Sequence, residues 1–163
     1  MAQPTVSVVI PAYNAARMLD LCLKSISASG LQPYECIVVD DGSTDKTAEV
    51  ARKYGARLLS TGGRKGPAVA RNQGAREAKG EIVFFIDSDI CLHLNTLARV
   101  SSGFENHPEV DAIIGSYDDS PEQQDVLSMY RNLMHRYGPR MVDGLEKLAR
   151  LIHPEAFDKA ALR

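Results

Sequence analysis

The chain has 163 residues, 44% of them hydrophobic and 25% charged, with 12 Gly and 8 Pro, a balance that excludes disordered, fibrous and membrane-embedded classes. Nineteen basic residues against 21 acidic ones leave a formal net charge of -2, which excludes the basic footprint that nucleic acid or an acidic lipid surface needs. Any anionic ligand must therefore be held locally, by a few placed groups.

The first segment, Met1 to Asn14, has no basic leader, and its apolar run stops at Pro11, so it is neither a signal peptide nor a membrane span. Val6 to Ile10 reads as a buried strand. Met18, Leu19, Cys22, Leu23 and Ile26 then recur at helical spacing until Gly30. Cys36 to Val39 makes a second strand running into Asp40-Asp41-Gly42, after which Ser43 or Thr44 is expected to cap a helix with Asp45 in its first turn. Ala48, Ala51 and Tyr54 face inward on that helix. Arg57 to Ser60 reads as a short third strand, followed by the cationic, glycine-rich loop Thr61-Gly62-Gly63-Arg64-Lys65-Gly66.

Pro67 is well placed as the first residue of a third helix, carrying Ala70, Arg71 and Asn72 and stopping by Gly80. Ile82 to Ile86 is the most hydrophobic run and ends in Asp87-Ser88-Asp89. A helix over about 94–106 and a strand over 111–115 complete the alternation of a parallel sheet covered on both faces. Beyond Gly115 the pattern weakens, with helical stretches at 122–137 and 144–152. Cys22, Cys36 and Cys91 are odd in number and widely spaced, which fits buried thiols rather than a disulfide framework or a zinc knuckle. The composition places the chain in a reducing, cytoplasmic compartment, and a peripheral association with the inner face of the membrane remains compatible with it.

In an open α/β sheet, ligands gather outside the carboxyl ends of the strands. The residues there are Tyr13 and Asn14 after the first strand, Asp40 and Asp41 after the second, the Gly-Arg-Lys loop after the third, and Asp87 and Asp89 after the fourth. Asp87 and Asp89 share one face if strand alternation continues through them, and paired hard oxygens suit Mg²⁺ or Mn²⁺ bridging to a diphosphate. A polar turn that caps the next helix is the simpler use of the same tripeptide. Asp40 and Asp41 could accept a base imide N–H or ribose hydroxyls, or serve only to cap a helix. Tyr13 offers a ring for base stacking or packs at the sheet edge. Arg64, Lys65 and Arg71 could meet a bound anion or remain solvated surface charge. The four histidines have no ligand spacing.

Taken together, Val6 to Asn14, Val38 to Asp45, Gly66 to Gly74 and Phe85 to Asp89 occur in an order and spacing that resembles the nucleotide-sugar domain of inverting family-two glycosyltransferases of the GT-A type. The resemblance implies an α/β GT-A, Rossmann-like sandwich with a mostly parallel sheet and helices on both faces. It implies a nucleotide-sugar-binding core over 1–118 and a partial acceptor-side helical segment of the same domain over 119–163. By the same resemblance, Tyr13 and Asp41 hold the base over a floor of Pro11 and Ala12, with Asn14, Asp40 and Ser88 in the same nucleotide site. Arg71 lies near base or diphosphate. Asp87 and Asp89 meet ribose and metal, Asp89 being the direct contact with Mg²⁺ or Mn²⁺.

The implied donor is a nucleotide-diphosphate sugar, foremost a UDP-sugar, and the acceptor a hydroxyl of a saccharide, lipid or protein. Transfer by single displacement needs a general base, which such enzymes carry in a later segment than any motif matched here. No such base is found by motif in this sequence; Glu155 and Asp158 are candidates without a motif behind them, and the chain is expected to be truncated on the acceptor side. A catalytically silent nucleotide-sugar-binding module is the non-enzymatic alternative. A haloacid-dehalogenase-like phosphatase is the rival enzyme, because Phe84 to Asp89 also looks like an apolar strand ending in a D-x-D nucleophile pair. Gly62, Gly63 and Gly66 do not make a dinucleotide-binding G-x-G-x-x-G, and no P-loop occurs.

Overall fold

A computed structural model describes residues 3–115. Four strands, β1 (Val6–Ala12), β2 (Glu35–Asp40), β3 (Arg57–Ser60) and β4 (Ile82–Phe85), alternate with helices α1 (Ala16–Ser27), α2 (Thr47–Lys53), α3 (Pro67–Glu77) and α4 (Thr96–Asn106). The sheet order is β3-β2-β1-β4 and every pairing is parallel. In register, Val9 sits between Ile37 of β2 and Phe85 of β4.

Residues of β1 are buried along its whole length, because both of its faces are covered. Val6, Val8, Ile10 and Ala12 pack with Leu19, Cys22, Leu23 and Ile26 of α1, Ala51 of α2 and Leu97 of α4. Val9 faces the other way, with Ile37, Val39 and Ala70 of α3. That split follows from handedness. The chain steps from β1 outward to β2 and β3, then returns past β1 to β4. Right-handed crossovers put connecting helices on one face while the chain moves one way and on the other when it reverses. Hence α3, the helix of the return, is among the described residues the one helix on the second face.

The seating of α3 depends on Gly74. A Cβ at this position would lie 2.3 Å from Val9 Cγ1 and 3.1 Å from Val39 Cγ2, so only a bare Cα allows the helix to approach β1 and β2 this closely. Pro67 is at the start of α3 as its sequence position suggested.

Several expectations are corrected. Residues 111–115 form no strand: no described strand pairs with them, and Ile114 is 92% exposed, so the apolar run lacks both a ladder and a covering face. Neither Ser43 nor Thr44 caps α2, whose first residues follow Lys46 with no side-chain cap at that position. Asp45 lies ahead of the helix rather than in its first turn. Its Oδ1 accepts from the Thr47 amide at 3.0 Å, and its Oδ2 accepts from the Ala16 amide at the start of α1, also at 3.0 Å. One carboxylate thus serves two helix N-termini, where unpaired amides and the helix dipole favour an anion. Of the three cysteines, Cys22 is buried and Cys36 half-buried, but Cys91 is exposed, because the segment after β4 runs over the surface. Burial pushes the Cys22 thiol above its ordinary range and the Cys36 thiol up to about 12, so neither is a nucleophile at neutral pH. Phe85, though part of the most apolar run, is 44% exposed, since β4 is the outer strand of the described sheet. The helical stretches expected at 122–137 and 144–152 lie outside the described residues.

Gly74→Ala is expected to destabilise the chain by about 1–3 kcal/mol through overpacking, read as a lowered urea midpoint at unchanged slope. An unaltered midpoint would show that α3 has room to retreat.

Candidate functional site

The carboxyl ends of β1, β2 and β4 border an open cleft of about 460 Å³, a volume within the range of small-molecule sites. It sits where the strand order reverses, between β1 and its neighbours, which is the position at which open α/β sheets bind ligands. From β1 and the following turn come Pro11, Ala12, Tyr13 and Asn14. From the end of β2 comes Asp41, from α3 Pro67 and Arg71, and from the turn after β4 Asp87, Ser88 and Asp89. Nine of the ten residues expected to bind nucleotide or metal therefore share one cleft.

Asp40 is the one that does not line it. Its Oδ1 accepts the Ser43 amide at 3.1 Å and closes the turn after β2. Asp41 lies just beyond the end of β2, and its carboxylate is engaged by a different loop. Glu155 and Asp158 lie outside the described residues.

The turn carrying Tyr13 and Asn14 is held by the turn after β2. Asn14 adopts φ of 47°, a left-handed conformation that asparagine tolerates better than most residues. Its amide donates to Ser43 Oγ at 2.8 Å, and its Oδ1 accepts the Thr44 amide at 2.8 Å. The Ala15 amide donates to Thr47 Oγ1 at 2.9 Å. Ser43 and Thr44 thus hold the turn after β1 instead of capping a helix. Tyr13 is left 40% exposed, its ring on the cleft wall.

Asp41 is only 4% exposed and its carboxylate is heavily used. Oδ1 accepts from Thr61 Oγ1 at 2.6 Å and from the Lys65 amide at 2.8 Å, and Oδ2 accepts from the Gly66 amide at 2.7 Å. The Thr61 hydroxyl, followed by the Lys65 amide, holds the carboxyl below the usual carboxylate range against the opposing effect of burial. The loop between β3 and α3 is in this way gathered onto the end of β2. Gly62, Gly63 and Gly66 supply the positive φ angles that path needs, at 76°, 144° and 94°. Arg64, for which contact with an anion and solvated surface charge were both open, has its guanidinium 4.7 Å from the centroid of the Tyr13 ring.

The D-x-D segment is a turn rather than a strand end. β4 stops at Phe85, and the Ile90 amide donates to the Asp87 carbonyl at 3.1 Å. Period-two alternation therefore does not apply, and it is the turn that brings both acids to the cleft. The turn is braced from behind by Ser25 Oγ of α1, which accepts the Leu92 amide at 2.9 Å, and by the Gly30 amide, which donates to the Leu94 carbonyl at 2.8 Å. Asp87 Oδ1 accepts from Arg71 Nη2 at 2.5 Å. Both groups are well exposed, so this pair contributes little to stability, but it fixes the guanidinium in the cleft and partly neutralises Asp87. Among the described residues Asp89 has no such ion-pair partner, and it is exposed to the cleft.

The donor set fits a divalent cation only in part. Two neighbouring carboxylates offer hard oxygens, yet no group of three or more His, Cys, Asp or Glu side chains converges among the described residues. Mg²⁺ and Mn²⁺ commonly take one or two carboxylates and complete their shell with water and phosphate oxygens, so an ion here would be held jointly with a diphosphate.

Sequence reasoning missed Ala15 and Met18, which also line the cleft. Met18 was read only as a member of the apolar helical pattern, and its place in the first exposed turn of α1 was the available signal. Among the described residues no helix is long and apolar enough to cross a membrane.

Comparison with known proteins agrees with this geometry. The family model described as glycosyl transferase family 2 matches residues 7–162. Glycosyltransferase GlyG of Streptococcus pneumoniae is 33% identical over 117 residues, covering 69% of this chain and 38% of that protein. The crystal structure of S. aureus TarS 1-349 in complex with UDP-GlcNAc superposes with a TM-score of 0.61 at 30% identity, covering 64% of this chain and 32% of that one. The mannosyltransferase PcManGT from Pyrobaculum calidifontis, in complex with GDP-Man and Mn²⁺, gives a TM-score of 0.56 at 33% identity, covering 60% and 31%. The chain thus spans well under half the length of these relatives. The fold is that of GT-A glycosyltransferases.

Because the Asp41 carboxyl is depressed in the folded chain, the stability it confers is fully present above its unfolded value near pH 4 and is lost as pH falls through the lower folded value. The penalty of Asp41→Asn, measured by urea unfolding, is therefore expected to be constant from pH 7 to about 5 and to shrink below about 4. A penalty that does not change with pH would contradict an ionised Asp41.

Proposed function

The chain belongs to glycosyl transferase family 2, and from that premise we propose that its cleft binds the donor of a glycosyl transfer, a nucleotide-diphosphate sugar and foremost a UDP-sugar. The observation that carries this reading is the meeting of a partly exposed phenol ring, a buried acceptor carboxylate, a guanidinium and two exposed carboxylates around one cleft at the sheet's switch point. Each matches one part of such a ligand. The Tyr13 ring offers a stacking surface for the base over Pro11 and Ala12. Asp41, with three of its acceptor positions already taken, has one left for a base N–H. Arg71 faces the diphosphate.

Asp89, with Asp87 beside it, would hold Mg²⁺ or Mn²⁺ together with the diphosphate, and when bound the ion stabilises the charge that develops on the departing nucleoside diphosphate. Relatives fit this assignment, since PcManGT is described in complex with GDP-Man and Mn²⁺. That GDP complex, beside the UDP-GlcNAc complex of TarS, keeps the base open between uracil and guanine, both of which present a ring N–H to a carboxylate. The acceptor hydroxyl attacks the anomeric carbon opposite the leaving diphosphate, inverting the centre. Its proton passes to a general base outside residues 3–115, with Glu155 and Asp158 as the candidates in this chain, in the partial acceptor-side segment 119–163.

Asp89→Ala is expected to abolish Mn²⁺-dependent UDP binding by calorimetry while leaving the unfolding midpoint within about 1 °C; unchanged affinity contradicts the metal assignment. Release of UDP from a UDP-sugar on adding an acceptor supports the transferase, and binding without release supports a silent donor-binding module. Phosphate release from small phosphoesters would favour the haloacid-dehalogenase reading instead.

A further inference from the structure

Arg64 stands outside the residues that line the cleft, yet it touches one that does. Its guanidinium carbon is 4.7 Å from the Tyr13 centroid, and it is absent from the cleft wall to which the same ring contributes. Tyr13 is thus the residue through which Arg64 meets the cleft. The backbone of Arg64 is fixed from two directions. Its neighbour Lys65 donates its amide to Asp41, and Gly42 approaches so closely that a Cβ there would lie 3.2 Å from the Arg64 amide nitrogen.

Resting on the donor-site reading above, we infer that Arg64 is a positioning residue for nucleobase binding: anchored through the Asp41-bound loop, its guanidinium backs the Tyr13 ring and holds it in the orientation that receives a base. An exposed phenol ring turns about two side-chain bonds, and stacking against it requires one orientation to be selected. A guanidinium is well suited to this, being planar, permanently charged and attracted to the ring's negative face. The Asp41 carboxylate then acts on the base twice, directly and through Thr61, Lys65 and Gly66, which determine where Arg64 begins.

Uridine, pyrophosphate with Mn²⁺, and UDP with Mn²⁺ separate this role from simple attraction of an anion. Each is titrated into the full 163-residue chain as wild type, Arg64→Ala and Arg64→Lys, with thermal unfolding alongside. Arg64→Ala is expected to weaken uridine and UDP by the same factor, about two- to fivefold for an exposed cation–ring contact, and to leave pyrophosphate and the unfolding midpoint unchanged. Arg64→Lys should retain uridine affinity to within about twofold, since an ammonium also sits over a ring. Loss of pyrophosphate and UDP binding with uridine unaffected would overturn the inference in favour of a phosphate contact. Equal uridine affinity in all three proteins, a Lys variant as weak as the Ala variant, or wild-type binding of UDP without any binding of uridine would also overturn it. Failure of the wild type to bind either UDP or uridine, with GDP and guanosine equally unbound, would instead remove the donor-site reading, and this inference with it.

Discussion

A buried carboxylate that must find donors organises the ligand-binding edge of this molecule. Asp41 follows directly after β2, almost wholly removed from water, where an ionised group without hydrogen bonds is strongly disfavoured. Three donors meet that demand, and all three come from one loop, Thr61, Lys65 and Gly66. Satisfying the charge therefore fixes the loop's path, and the path places the start of α3 and the base of Arg64. The glycines at 62, 63 and 66 are the sequence's response to this constraint, because each adopts a backbone conformation that a side chain would oppose.

The second condition is topological. Reversal of strand order between β3 and β4 leaves a crevice beside β1, and the turns after β1, β2 and β4 surround it. Short links between those turns convert adjacency into fixed geometry. Asn14 is bound to Ser43 and Thr44, and Asp45 joins the first turns of α1 and α2. On the far side, Arg71 joins α3 to the Asp87 turn. The cleft is thus bordered by segments distant in sequence but cross-linked by hydrogen bonds, the kind of support that holds a site's groups in fixed relative positions.

Much of this was legible because the information was local. Continuous apolar runs marked β1, β2 and β4 within a residue or two, the short segment Arg57–Ser60 was read as β3, and Pro67 marked the start of α3. The positions following each run named most of the cleft. What was not legible depended on partners elsewhere in the chain. Residues 111–115 look like a strand, but a strand exists only with a neighbour to pair with. Ser43 and Thr44 have the right chemistry for a cap, and only the fold reveals that Asn14 claims them. The shared cleft wall of Asp87 and Asp89 was expected for the wrong reason, since a turn rather than a pleat brings them there. The internal donors of Asp41 and the contact of Arg64 with Tyr13 span 20 to 51 positions and leave no periodic trace in the sequence.

Nucleotide and cation are proposed to share one cleft. Paramagnetic broadening of backbone amide signals by Mn²⁺ in the presence of UDP tests this directly, because Mn²⁺ erases signals near it irrespective of any assumed role. Broadening is predicted to centre on residues 87–89 and extend to 13–14 and 67–71, and to weaken sharply there when UDP is omitted. Broadening centred instead on the opposite end of the sheet, around Ser7, Glu35 and Gly80, or spread evenly over exposed acids with no dependence on UDP, would contradict it.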